Sequence, residues 1–182
     1  TKRAAEKEEF TAFYSIRVDG GEAQKLFEIP AKVKQLKALT DSSFLFTMLT
    51  DLNGKDLYTL KPEEQKEELK RRKEEEDYEV FEEVPFWLND QGVTNGKRTR
   101  LCRYDLKTKK ISVLTEGNWT VSTFALDEDK KQALVVMTDF KDVLPIANTV
   151  QLLDLNNGKL RLLRAENERV SQRIKRYVDG DR

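Results

Sequence analysis

Apolar residues recur along this chain in short runs of period two, broken by polar turns, which is the pattern of antiparallel strands and not of long helices. Phe10 to Val18 and Leu101 to Leu106 each run into a turn cluster, Asp-Gly-Gly at 19–21 and Lys-Thr-Lys at 107–109. A short apolar run follows each cluster, so both segments read as hairpins. In Val121 to Leu126, Phe124 and Leu126 share one face, residues 127–130 make a turn, and the wholly apolar Ala133 to Met137 suits a buried strand. Thr149 to Leu155, Asn-Asn-Gly at 156–158 and Leu160 to Leu163 make the next hairpin. One unit is thus four antiparallel strands.

The unit repeats. RVDGGEAQKLF (17–27), DLKTKKISVLT (105–115) and DLNNGKLRLLR (154–164) align, with apolar anchors Val18, Leu106 and Leu155 and a second set eight residues on, Leu26, Leu114 and Leu163. The offsets, 88 and 49, recur downstream in Val33, Val121 and Val170, and in part in Leu36, Phe124 and Arg173. The excess of 39 residues in the first interval reads as an insertion, and removing it leaves a period near 49, within the roughly 40 to 50 residues of a four-stranded propeller blade. The sequence therefore predicts an all-β fold, an arc of a β-propeller with one charged helical insertion. The whole chain, 1–182, is one partial propeller domain with blade parts at about 10–29, 33–116, 120–164 and 169–178, and the insertion at about 61–79. The last part, 169–178, also offers Val170, Ile174 and Tyr177 at helical spacing, so a terminal helix rivals the strand.

Charge sharpens the insertion. Residues 61–83 carry 17 charges in 23 positions, and Pro62 followed by an acidic-then-basic run suits the helix dipole. Glu67–Arg71 and Glu68–Arg72 have the spacing of stabilising pairs, and with Leu69 nearly its only apolar residue the helix is mostly solvated. Phe81, Val84, Pro85, Phe86, Trp87 and Leu88 are too apolar to be left in water and should dock the insertion back on the sheets. The helix itself should be dispensable for the fold.

Across the chain 33 basic residues balance 33 acidic ones, so no global field favours nucleic acid or an anionic membrane. The longest uncharged run, Val143 to Leu153, is far too short to span a bilayer. One cysteine, Cys102, excludes an internal disulfide and suits a reducing, cytoplasmic setting. There is no histidine, and GxSxG, a Walker loop and GxGxxG are all missing, which removes the usual Ser-His and Cys-His pairs and the common zinc patterns. No catalytic, cofactor-binding or metal-binding residue is assigned, and no cofactor is expected. Thr1 in place of methionine suggests a processed or cut chain.

The stretch DYEVFEEVPFWLNDQGVTNGKRTRLCRYDLKTKKISVLTEG from Asp77 resembles the propeller of the prolyl oligopeptidase family of serine peptidases, nearest its acylaminoacyl-peptidase-like branch. The resemblance rests on a charged helical segment leading to a Pro-aromatic stretch and an Asn/Asp-x-Gly turn. After these come the basic Arg98 to Arg103, the turn Asp105 to Lys109 and the exit Leu114 to Gly117. It implies an N-terminal propeller over an α/β-hydrolase domain of the same polypeptide, admitting peptide substrates and excluding folded proteins. The catalytic half is not in these residues, so the chain is expected to be no enzyme on its own. The alternative is a non-enzymatic propeller-like scaffold that binds a protein or peptide.

Several residues invite sharper readings. Glu82 and Glu83 resemble a recognition pair for an amine, but a charge run beside an acidic helix is usually a solvated face. Arg98, Arg100 and Arg103 could hold a carboxylate or phosphate, against the plainer reading of an outward strand face that resists edge pairing. Cys102 reads as a small packing residue, and Trp87 and Trp119 as packing more than pocket lining. Asn118 opens a glycosylation sequon that occurs readily by chance. An open arc leaves strand edges free, so self-association through Phe10 to Val18 or Val170 to Val178 is expected.

Overall fold

The computed structural model describes residues 9–75, 77, 80–81, 83, 87–88, 92–93, 95–141 and 148–164. The segment at 169–178 and Glu82 lie outside them. The chain forms β1 (Thr11–Ser15) and β2 (Gln24–Ile29), then β3 (Val33–Thr40) and β4 (Ser43–Asp51). A 3-10 turn at Leu57–Thr59, the helix α1 (Pro62–Glu74), and the short β5 (Trp87–Leu88) and β6 (Gly92–Val93) intervene. Then come β7 (Lys97–Asp105), β8 (Lys110–Val113), β9 (Trp119–Leu126), β10 (Gln132–Asp139), β11 (Thr149–Asp154) and β12 (Leu160–Arg164).

These strands make two complete four-stranded antiparallel sheets, β3-β4-β7-β8 (sheet I) and β9-β10-β11-β12 (sheet II), with β1-β2 and β5-β6 as two-stranded pairs. The fold is all-β with one inserted helix, as expected; no closed ring is formed by the described residues. The central strands β4 and β10 carry buried apolar residues in both parities, and sheet I is covered on both faces, by the hairpin and by sheet II. One core holds Leu39, Leu45 and Leu101 of sheet I against Val121, Phe124, Ala133, Val135, Met137 and Leu153 of sheet II. The other packs Phe27 and Ile29 of β2 on Phe46, Met48, Cys102 and Tyr104 of sheet I. The order is therefore hairpin, sheet I, sheet II.

The repeat survives at the level of contacts. Val33 pairs with Met48 and Val121 with Met137, so the chain's two methionines hold equivalent buried sites. Their offset is 89, one more than that of the valines, because the longer β9–β10 turn slightly outweighs the shorter pairing and smaller number of bulges in that hairpin. Asp105 accepts the Thr108 N–H at 2.7 Å, and Asp154, 49 residues on, accepts the Asn156 N–H at 2.8 Å. The anchor at Val18 does not hold: it is fully exposed, because the β1–β2 loop is longer than the other two hairpin loops.

Helix α1 starts at Pro62 and is fixed by a capping box in which Glu64 accepts the Lys61 N–H at 2.9 Å. It is mostly solvated, yet Glu68, and not Leu69, is its buried residue. Of the two expected pairs, Glu68–Arg72 forms at 3.0 Å. Arg71 turns to Glu68 (2.7 Å) and Glu75 instead of Glu67. The helix is tied down by polar contacts, Gln65 Nε2 to the Leu57 and Leu60 carbonyls and Arg72 to the Lys55 carbonyl and Glu9.

Candidate functional site at the junction of the sheets

The insertion returns to sheet I just before β7, and polar chemistry gathers there. β7 is an interior strand of sheet I, and that sheet is packed by the hairpin on one face and by sheet II on the other, so its side chains are covered on both faces. That overturns the outward reading of Arg98 and Arg100, which are 2% and 5% exposed. Arg98 Nη2 lies 2.7 Å from Glu83 Oε2, Nη1 lies 3.2 Å from Glu83 Oε1, and Nη2 also donates to the Phe140 carbonyl at 2.9 Å. The guanidinium carbon sits 3.9 Å from the centre of the Phe140 ring, a cation–π contact. Arg98 thus joins three parts of the chain: the insertion through Glu83, sheet I through its own strand, and the exit of β10 through Phe140.

Glu83 is not a solvated face either. Its side chain is 9% exposed and it also accepts the Gly96 N–H at 2.7 Å. Hydrogen bonds from Arg98, against the opposing effect of burial, hold its carboxyl below the usual carboxylate range. Asn95 Nδ2 donates to the Val80 carbonyl at 2.6 Å, a second tie across the return. Gly96 suits its place: its φ is +65°, where side chains are strained, and a Cβ would stand 2.6 Å from the Asn53 side chain, which would have to move. Phe81, expected to dock the insertion, is exposed along with Val80, and the ties seen among the described residues are ionic and amide contacts. The side chains of Val84, Pro85, Phe86, Trp87 and Leu88 lie outside the described residues.

Arg100 stitches sheet I to the segment that enters sheet II. Its Nη1 donates to the Trp119 carbonyl at 2.9 Å and its Nη2 to the Gly117 carbonyl. Nearby, Gln35 does the same with an amide, giving Nε2 to the Phe124 carbonyl at 3.1 Å and accepting the Phe124 N–H at 3.3 Å. The Gln35 side chain imitates a strand neighbour for the edge of β9. Burial lowers the affinity of Arg100 for its proton, with the charge of Arg98 acting the same way. Burial raises Asp56 and pushes Tyr58 up to about 12, with Asp56 and Cys102 adding to the latter.

Cys102 is fully buried, and desolvation drives its thiol well above its ordinary range, so it packs and does not react. Arg103 is half-buried, with Nε unpaired among the described residues. Trp119 packs at the margin of the core shared by the sheets, and Asn118 is exposed. Among the described residues no three of His, Cys, Asp and Glu are placed to hold a metal, and no helix is long and apolar enough to cross a membrane. The sequence showed the arginines but not their partner, since Glu83 lies 15 residues from Arg98 across the insertion.

No family model and no curated protein matches the chain. Among solved structures it is similar to the acylaminoacyl peptidase of Pyrococcus horikoshii in an orthorhombic crystal form, with 11% identity and a TM-score of 0.51 over 87% of this chain and 23% of that one. The uncomplexed enzyme gives 12%, 0.51, 87% and 23%. An acylaminoacyl peptidase in complex with Z-Gly-Gly-Phe-chloromethyl ketone gives 11%, 0.51, 87% and 24%. At this identity the likeness is one of fold. The chain spans about a quarter of the length of these neighbours.

Proposed function

We propose that these residues are part of the propeller of a serine peptidase of the prolyl oligopeptidase family, and that they restrict the access of peptide substrates to a separate α/β-hydrolase domain. The observation that carries this reading is the stacking of like units, hairpin on sheet I on sheet II, with arginines and amides closing the junctions in place of a catalytic constellation. The likeness of fold to acylaminoacyl peptidases supports it. The chain contributes wall and interdomain surface in this reading, and no nucleophile, acid or base.

The test is to follow the gene past Arg182 and to treat both this chain and the uninterrupted product with a fluorophosphonate probe. Further four-stranded units, a GxSxG segment and a label on the longer product alone are expected. A longer product with no such segment and no label would leave the scaffold reading in its place.

A further inference from the structure

A cleft of about 640 Å³ opens between the hairpin and sheet I, away from the arginine junction. Pro30 and Ile111 give it an apolar wall, Tyr58 and Tyr104 an aromatic one, and Lys109 and Lys110 border it. Tyr104 is only 5% exposed, with its ring stacked on Phe27 at 4.8 Å, and its hydroxyl has no hydrogen-bond partner among the described residues. The Tyr58 hydroxyl likewise has none. As phenols both are protonated at neutral pH, and neither hydroxyl is sealed from solvent, so both can donate into the cleft. The one carboxylate at the rim, Glu28, is held by Lys25 at 2.5 Å, which leaves the two turn lysines to set the local sign.

The internal repeat adds an independent observation. Lys109 has φ 56°, in the left-handed region, and the residue 49 positions on in the sister turn is Gly158, with φ 72°. A glycine takes this conformation freely and a lysine does not. The two sister turns therefore differ in the residue that fills the left-handed position, a lysine bordering the cleft in the first unit and Gly158 in the second.

We propose that this cleft binds a monocarboxylate carried on an apolar or aromatic body, the carboxylate meeting Lys109, Lys110 and the two phenol hydroxyls and the body lying against Pro30 and Ile111. A dianionic group such as phosphate fits less well, because no guanidinium lines the cleft and its walls are largely apolar and aromatic. A free acid and the carboxy terminus of a peptide share the required chemistry.

The experiment is a titration of the isotopically labelled chain with 3-phenylpropionate, followed by amide resonances. Saturable shifts at Tyr104, Lys110, Ile111 and Thr59 are expected, with 3-phenylpropanamide binding at least tenfold more weakly. Lys109→Gly should weaken the acid at least threefold while leaving the melting midpoint unchanged or raised. Tyr104→Phe, which keeps the stacked ring, should weaken it at least threefold. Lys130→Gly is the control, since Lys130 has φ 54° in the β9–β10 turn and does not line the cleft. Acetyl-Ser-Ala-Phe alongside the free acid separates the sources: tighter binding supports a chain terminus as the natural ligand, weaker binding a free acid. Absence of saturable shifts, equal binding of acid and amide, tighter binding of inorganic phosphate, or an affinity unmoved by Lys109→Gly and Tyr104→Phe overturns the proposal.

Discussion

Sheets I and II share strand number, order and direction, and differ most in the link between their second and third strands. Residues 52–96 join β4 to β7, whereas residues 140–148 join β10 to β11. The longer link carries the helix, but what fixes it to the sheet is Glu83, reaching Arg98 and the Gly96 N–H. Sheet II has no buried arginine among its described residues. An insertion of this size is thermodynamically tolerable because loop closure costs only about 0.6 kcal/mol per doubling of length, provided its ends are held in register. The charged helix and the charged anchor are therefore separable, though both belong to one acidic and basic stretch of sequence.

The largest expected effect comes from the core that the sheets share. Phe124→Ala removes a fully buried ring from the interface and should cost about 3–5 kcal/mol, read as a lowered denaturation midpoint. A cost below about 1 kcal/mol would mean that the sheets do not share a core. Deleting residues 62–77 with a short Gly/Ser linker should cost about 1–2 kcal/mol, since it forfeits chiefly the Gln65 and Arg72 contacts to loop carbonyls. Loss of cooperative melting would make the helix part of the core.

The open hairpin is the next difference. Among the described residues β1 has β2 as its one partner strand, and Tyr14, Ile16, Val18 and Leu26 are exposed around it. Self-association through this edge is expected, with Ile16→Lys shifting the sedimentation profile toward monomer. A monomer at every concentration would show that the edge is protected. The smallest effects lie in the turns: Lys109→Gly should stabilise by about 0.5–1 kcal/mol and Gly158→Lys destabilise by about 1–2 kcal/mol. Equal and negligible effects would remove the asymmetry between the two turns.

Much of this fold is legible in the sequence because it is written in turns. Asp105 and Asp154 accept turn N–H groups in both units, and such local chemistry leaves a fixed spacing. The alternation in Val121 to Leu126 likewise gives β9 and the shared placement of Phe124 and Leu126 on the core. The junction is not legible. A strand reading Arg-Thr-Arg gives its parity but not its neighbours, and the layer packed on that face decides whether an arginine is solvated or buried. Val18 misled for the opposite reason: the spacing holds, but the residue sits in a longer loop and reaches no core. The cleft escaped notice because its lining comes from β2, the 3-10 turn and the β7–β8 hairpin, far apart in sequence.

Arg98 and Glu83 pin the insertion to the junction of the two sheets. A double-mutant cycle with Arg98→Met, Glu83→Gln and the double variant, measured by denaturant unfolding, tests it most directly. Each single change leaves a buried group without its partner and should cost about 3–5 kcal/mol. The double variant should cost less than the sum of the two single changes, by a coupling of about 2–3 kcal/mol at pH 7. Because the folded carboxyl of Glu83 is held below its unfolded value near 4.3, the coupling is complete above that pH and is lost as pH falls through the lower folded value. A coupling under about 0.5 kcal/mol, or one indifferent to acid, would contradict the account.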